Sequence, residues 1–231
     1  PLPSNLTATS SLVEAVNGCD GVLLAVPSHI TRSVLHQLAP YISEPLPFVC
    51  ATKGIEETTA KLMTQVMEDE LARVASPPYL HLGVLAGPSF AKEVAAGVPT
   101  AVSVAAKSKE EAVFFQEFFN APLFRVYACT DRIGLELGGA LKNIVAIAAG
   151  ISDGLGYGTN TRAALITRGL AEISRLGIAM GAEPLTFSGL GGLGECAAGP
   201  GLSRVVDRGK ISPRGLPCET AEQRPGKRKT V

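Results

Sequence analysis

Tryptophan is absent, aromatic residues make up only 5% and charged residues only 18% of the 231 positions, and Lys+Arg of 21 cancel Asp+Glu of 21 to a formal net charge of zero. Without net charge there is no global field to gather a polyanion, so nucleic acid is not expected as a partner, and any anion must be bound locally. Long apolar runs are missing too. Ile144 to Ile151 and Gly21 to Pro27 fall short of the roughly 20 residues that span a bilayer, so no membrane insertion is expected. Cys19, Cys50, Cys129, Cys196 and Cys218 are odd in number and form no CxxC pair. That usage fits a reducing, cytoplasmic compartment and buried small hydrophobes better than disulfides or a metal site. The chain opens on Pro1 with neither a basic stretch nor an apolar one, as if cut from something longer. What is present is a 46% hydrophobic share, enough for one good core or two modest ones and too much for a disordered chain.

From Ser10 to Thr130, helical periodicity alternates with short β-branched apolar runs, the pattern of a parallel sheet covered by helices. Strands are predicted at Gly21–Val26, Phe48–Ala51, Leu82–Ala86 and Thr100–Val104, with a last one at Phe124–Tyr127. Between them, helices are predicted at Ser11–Asn17, Thr31–Leu38, Thr59–Arg73, Phe90–Ala96 and Lys109–Phe119. Phe114, Phe115, Phe118 and Phe119 on the last of these are expected to be core. After Asp131 the pattern turns to long Ala/Leu/Ile helices without strands. From Arg204 onward, basic residues outnumber Asp207, Glu219 and Glu222, ending in Arg224-Pro225-Gly226-Lys227-Arg228-Lys229, a composition that packs no core. The expected organisation is a parallel-sheet unit over 1–131, a helical unit over 132–203 and a basic tail over 204–231. The fold class is a partial Rossmann-like parallel-sheet domain followed by an all-helical one.

In open parallel sheets ligands sit at the carboxyl ends of the strands, which directs attention to three segments. Thr52-Lys53-Gly54 puts a lysine just past a buried strand. Gly87-Pro88-Ser89-Phe90-Ala91-Lys92-Glu93 runs a glycine turn into a helix start, whose N–H groups could face an anion or be capped by Ser89. In Gly134-Leu135-Glu136-Leu137-Gly138-Gly139-Ala140-Leu141-Lys142-Asn143, small residues allow another backbone to approach. Lys142 is followed there by Ile144, Val145, Ala146 and Ile147. It is either poorly solvated, with a pKa drawn toward acid/base range, or a snorkelling lysine at a helix edge. His29, His36 and His81 receive no role.

These segments, with Val26-Pro27-Ser28-His29, Thr52-Lys53-Gly54-Ile55-Glu56, Asp153-Gly154-Leu155-Gly156 and Arg162-Ala163-Ala164-Leu165-Ile166-Thr167-Arg168-Gly169 in one order, closely resemble the bacterial-type NAD(P)-dependent sn-glycerol-3-phosphate dehydrogenases over about Leu2 to Gly194. The resemblance implies interconversion of sn-glycerol 3-phosphate and dihydroxyacetone phosphate with NAD or NADP, feeding glycerophospholipid synthesis. Lys142 becomes the proton acceptor at the C2 hydroxyl. Lys53, Gly87, Ser89, Asn143, Glu195, Ser203 and Arg204 become further substrate contacts, and Lys53, Ala91 and Arg204 cofactor contacts. Glu195 stands where the family has an aspartate, one methylene longer. Ser203-Arg204 is followed by Val205 rather than Asn, two positions early. The family's opening Gly-x-Gly-x-x-Gly strand, which receives the pyrophosphate, has no counterpart before Leu2. The resemblance thus implies that the 1–131 unit is an incomplete NAD(P)-binding unit and the 132–203 unit a truncated one. A truncated inactive relative and a related hydroxyacid or sugar-phosphate dehydrogenase are therefore the competing readings. The oligomeric state is open, with a homodimer among the arrangements considered.

Overall fold

The computed structural model describes residues 5–42, 44–74 and 79–197; the predicted tail, with Ser203, Arg204 and Cys218, lies outside them. Five strands, β1 (Val22–Leu24), β2 (Leu46–Cys50), β3 (Tyr79–Ala86), β4 (Thr100–Ala106) and β5 (Phe124–Cys129), form one sheet in sequence order. The connecting helices are α1 (Leu12–Val16), α2 (Ser28–Leu38), α3 (Met63–Leu71), α4 (Ala91–Ala95) and α5 (Lys109–Phe119). Side chains alternate across the strands as a period of two requires. Phe48, Cys50, Leu82 and Val84 join Leu35, Leu38, Met63, Val66, Met67 and Leu71 in one core under α2 and α3. Val49, Val102, Val104, Ala106 and Val126 meet Ala112 and Phe115 in a second core under α5.

The expected parallel sheet is found, with one pairing reversed. β1–β2, β2–β3 and β4–β5 are parallel, but β3 and β4 are antiparallel, pairing Gly83 with Ala106 and Ala86 with Ser103. A parallel return needs a crossover packed on the face of the sheet. Helix α4 has only five residues and buries none of them, so the chain turns back at the edge where it left. The sheet remains dominated by parallel pairs.

The aromatic stripe of α5 is core only in part. Ser108 and Glu111 build a reciprocal capping box at its start, and Phe115 is 1% exposed against the sheet, whereas Phe118 is 51% exposed. Phe118 overhangs edge strand β1, beside Gly21, Leu23 and Pro47.

Beyond β5 every described element is helical: α6 (Arg132–Gly154), α7 (Gly158–Ala179), a 3₁₀ turn at Pro184–Ser188, a π turn at Leu190–Gly194 and the short α8 (Glu195–Ala197). Asp131 starts α6 by accepting the Gly134 N–H at 2.8 Å, and its other oxygen takes the Glu183 N–H at 2.8 Å and the Thr186 hydroxyl at 2.6 Å. One buried carboxylate thus holds the head of α6 against the turn that follows α7. By length and composition alone α6, with a mean hydropathy of 1.3 over its most apolar window, could cross a membrane, yet 56% of that window is buried inside the fold. Leu135 enters the core under α2 and α3, while Leu137 and Val145 pack with Leu62, Ile173 and Phe187.

Phe115→Ala removes the ring that joins α5 to the sheet. It should lower the unfolding free energy by about 3–4 kcal/mol in urea titration; an unchanged midpoint would contradict this account of the second core.

Candidate active site

The parallel strands β1, β2 and β3 end on one edge. Thr52 ties two of those ends together, donating its hydroxyl to Val26 O at 2.8 Å. Lys53 follows immediately, and its ammonium donates to Leu85 O at 3.2 Å near the end of β3. Gly87 sits one residue past β3 at φ +141, where a Cβ would lie 2.8 Å from Val102 Cα. A side chain is excluded there on both strain and space.

Glu195 joins these groups. It is 1% exposed, its Oε1 accepts the Gly87 N–H at 2.7 Å and lies 3.3 Å from Lys53 Nζ, and its Oε2 pairs with Lys142 Nζ. The extra methylene relative to aspartate therefore does not carry the carboxylate out of reach; it bridges both lysines. Burial pushes the Glu195 carboxyl up, but the Lys53 and Lys142 ammonium groups and the Gly87 N–H outweigh it and hold the group below its usual value. For Lys53, burial is the main cause of a lowered pKa, with Lys142 adding to it and Glu195 opposing. Two ammonium groups against one carboxylate leave an excess of one positive charge at a half-enclosed edge.

Lys142 is nearly buried, its side chain 15% exposed, but not for the reason the sequence suggested. Ile144 and Ile147 are 65% and 52% exposed, because at 100° per residue they turn away from the face carrying Lys142. The shielding comes instead from the turn holding Glu195. That turn reaches α6 through glycine: a Cβ on Gly138 would collide with Gly191 O, and one on Gly139 would lie 3.1 Å from Lys53 Cδ. The small residues of this segment admit a backbone on one side and the Lys53 side chain on the other. Gly189, Gly191 and Gly194 reproduce a Gly-x-Gly-x-x-Gly spacing, but they form the π turn beside Phe187 and follow no strand, so they are no dinucleotide turn.

Other predicted residues stand apart. Ser89 does not cap a helix: α4 begins with Phe90 as its N-cap, and the Ser89 hydroxyl donates to Gly87 O at 3.1 Å. Ser89, Ala91 and Asn143 are exposed, the first two beside Gly87 in sequence and the third on the solvent side of α6. The four cysteines among the described residues are free. Burial raises Cys50 to about 12 and also raises Cys196, so neither is a nucleophile at neutral pH.

Sequence reasoning passed over two polar clusters. Arg32 on α2 forks onto Glu56, just past Lys53, at 2.8 and 2.7 Å, and reaches Glu70 on α3 at 2.7 Å. Glu136 on α6 binds Thr64 on α3. The Glu in Thr52-Lys53-Gly54-Ile55-Glu56 signalled a group near the lysine; nothing local marked Arg32 as the partner of Glu56 or Thr64 as the partner of Glu136.

A sheet of this kind with lysines at its carboxyl edge and helices behind it defines the class of two-part, Rossmann-like dehydrogenases. Solved structures agree: a glycerol-3-phosphate dehydrogenase from Coxiella burnetii superposes with a TM-score of 0.79 at 38% identity over 89% of this chain and 64% of that one. The Dunaliella salina enzyme gives 0.79 at 27% identity, over 89% of this chain and 36% of that one. The chain belongs to the NAD-dependent glycerol-3-phosphate dehydrogenase family, whose N-terminal model matches residues 1–112 and whose C-terminal model matches 131–224. Glycerol-3-phosphate dehydrogenase [NAD(P)+] of Desulfotalea psychrophila is 54% identical over 84% of this chain and 57% of its own length. For that of Anaeromyxobacter dehalogenans the figures are 49%, 90% and 63%. The chain thus spans about three fifths of these relatives.

Replacing Glu195 by Gln leaves two adjacent ammonium groups without their carboxylate. It should cost about 2 kcal/mol in urea unfolding at neutral pH, after allowance for the partial exposure of Lys53, and less as rising pH strips Lys53, whose pKa burial lowers, of its proton. In the parent chain this carboxylate, held below its usual 4.5, stabilises fully above that pH and loses its contribution as pH falls through the lowered value. A Glu195→Gln chain with unchanged stability at neutral pH would contradict the pairing.

Proposed function

We propose that this chain carries the catalytic edge of an NAD(P)-dependent dehydrogenase interconverting sn-glycerol 3-phosphate and dihydroxyacetone phosphate. The observation that carries the reading is the convergence of Lys53, Lys142 and Gly87 on the buried Glu195, in a chain of this family.

In the oxidative direction Lys142 Nζ, as the neutral amine, takes the proton from the C2 hydroxyl; in the reductive direction its ammonium polarises the C2 carbonyl and returns that proton. Glu195 fixes the Lys142 amine from behind and spreads the resulting positive charge over a carboxylate shared with Lys53. Lys53, anchored on Leu85 O, holds a substrate oxygen by charge. The surplus positive charge favours a phosphorylated substrate over a neutral polyol, and Ser203 and Arg204 are carried into the phosphate site by family likeness alone, as is Asn143.

The donor set at the strand ends suits a dinucleotide. Helix α2 begins at Ser28 with Pro27 before it and no side-chain cap, so its first N–H groups can donate to an anion at the end of β1. Lys53, Ala91 and Arg204 are carried to the cofactor by family likeness. A bound nicotinamide would supply the hydride acceptor for C2 in one direction and the donor in the other.

The proposed unit boundaries follow from the same reading, with the nucleotide-binding part at 1–131 and the substrate part at 132–203. Free cysteines support assignment to the reducing cytoplasm, and the burial of 56% of the most apolar window of α6 supports a protein without membrane insertion.

The test is NADH or NADPH absorbance in the presence of dihydroxyacetone phosphate, with other hydroxyacid and sugar-phosphate ketones as competitors. Dihydroxyacetone phosphate should give the fastest loss; no loss with any ketone would favour an inactive relative. In a chain that turns over, Lys142→Ala should reduce kcat by at least about 100-fold. A drop within about tenfold, roughly 1.4 kcal/mol of barrier, would remove Lys142 from the acid/base role.

A further inference from the structure

Between Lys53 and Leu62 the chain runs through a loop whose one regular feature is the Ile55–Leu62 bridge, and α3 follows at Met63 with Leu62 as N-cap. Leucine has no oxygen to offer the free N–H groups of a helix start, and Gln65 reaches back only to the Leu62 N–H at 3.0 Å. The acceptor comes from 72 residues further along the chain: Glu136 on α6 takes the Thr64 N–H on Oε1 at 2.9 Å and the Thr64 hydroxyl on Oε2 at 2.6 Å. Glu136 is 6% exposed and Thr64 2%. Leu62 and Leu137, residues adjoining this contact on each element, share one apolar cluster.

A carboxylate buried this deeply is costly unless paired, and burial pushes the Glu136 carboxyl above its usual value; among the described residues no cation is bonded to it. Arg132, one turn back on α6, pairs with Glu68 at 3.0 Å instead. What compensates the charge is the positive end of α3 together with two hydrogen bonds. The arrangement adds a directional link between two elements that also share apolar packing through Leu62 and Leu137: the loop that begins with Lys53 and the helix that carries Lys142. Both lysines must reach one carboxylate, Glu195, so the spacing of their supports matters within tenths of an ångström.

We propose that Glu136 is a positioning residue which, by capping α3 from α6, sets the Lys53 loop at the height where Lys53 and Lys142 share Glu195. The consequence for turnover rests on the dehydrogenase reading; the placement of Lys53 does not, and can be read without turnover.

Competitive labelling of the whole chain with trace acetic anhydride across the lysine titration range, with peptide mass mapping, compares Lys53 with the exposed Lys107 in one sample. The charged groups facing Lys53 are Glu195 and Lys142, with the Cys50 thiol beside them, and a held Lys53 titrates below the usual lysine value. In Glu136→Ala the Lys53 midpoint should rise toward that value. In Glu136→Gln it should stay at the parent value, because the amide oxygen accepts the Thr64 N–H while the amide NH₂ donates to the hydroxyl. Should Glu136→Ala fail to fold, Thr64→Val, which deletes one of the two hydrogen bonds, should move the midpoint the same way by a smaller amount. Three results would overturn the proposal: a folded Glu136→Ala chain with the parent midpoint, a Glu136→Gln chain displaced as far as Glu136→Ala, or a parent Lys53 that titrates at the usual lysine value. Loss of the dehydrogenase reading shows separately, as absence of ketone-dependent NAD(P)H oxidation with the labelling pattern intact.

Discussion

One buried carboxylate organises the functional edge of this protein. Glu195 receives a backbone N–H from the end of β3, an ammonium from the end of β2 and an ammonium from α6. Remove the carboxylate and two like charges face each other across a partly dry edge, where charges 4 Å apart interact by about 4 kcal/mol at an effective dielectric of 20. With it, the two cations become mutually tolerable and one unit of positive charge is left over. Because Glu195 begins α8 directly after the Leu190–Gly194 turn, the site exists only when that turn is seated, and the turn is seated only because glycines meet it. Gly138 leaves room for Gly191 O, and Gly139 for the Lys53 stem. The chemistry of the site therefore depends as much on missing side chains along α6 as on the charged ones.

Two other carboxylates repeat the principle with a different purpose. Asp131 gathers the Gly134 N–H, the Glu183 N–H and the Thr186 hydroxyl; Glu136 gathers two groups of Thr64. Neither is bonded to a cation, and each stands at a helix start where N–H groups converge, so helix ends neutralise what lysines do not. Among the buried carboxylates of the described residues, lysines pair with Glu195, which faces the strand ends; Lys61 pairs with the part-exposed Asp69. Arginine is spent at the rim, where Arg32 locks Glu56 and Glu70 around the outer side of the Lys53 loop and holds the Glu56 carboxyl down at about 2.

Much of this architecture was legible in local pattern. Alternation at Phe48-Val49-Cys50 and Val102-Ser103-Val104 matches the two cores that the strands separate, and the helix predicted at Lys109–Phe119 is α5. Lys53 and Lys142 stood out because each is a charge in an apolar setting next to glycine. What stayed hidden depends on distance along the chain. Lys142 and Glu195 are 53 residues apart and Thr64 and Glu136 are 72, and no periodicity within one element can report such a partner. The reversal of β4 was hidden for another reason: the segment before it reads as a helix, and only the exposure of all five residues of α4 reveals that it never packs as a crossover. The shielding of Lys142 was credited to its helix neighbours, although residues adjacent in a helix point in different directions.

The neutral composition now carries a more specific meaning. A chain with balanced charges cannot gather an anion from a distance, and the site does not need it to, because its excess charge is produced within a few ångströms by two lysines against one carboxylate. Such a field is short in range and weakly screened by salt where the groups are buried, which suits a small phosphorylated ligand that enters the edge and leaves the surrounding surface untouched. It also makes the affinity for that ligand sensitive to the protonation of Lys53. Its pKa is lowered chiefly by burial, so as pH rises it loses its charge below the usual lysine range and the surplus in the site goes with it.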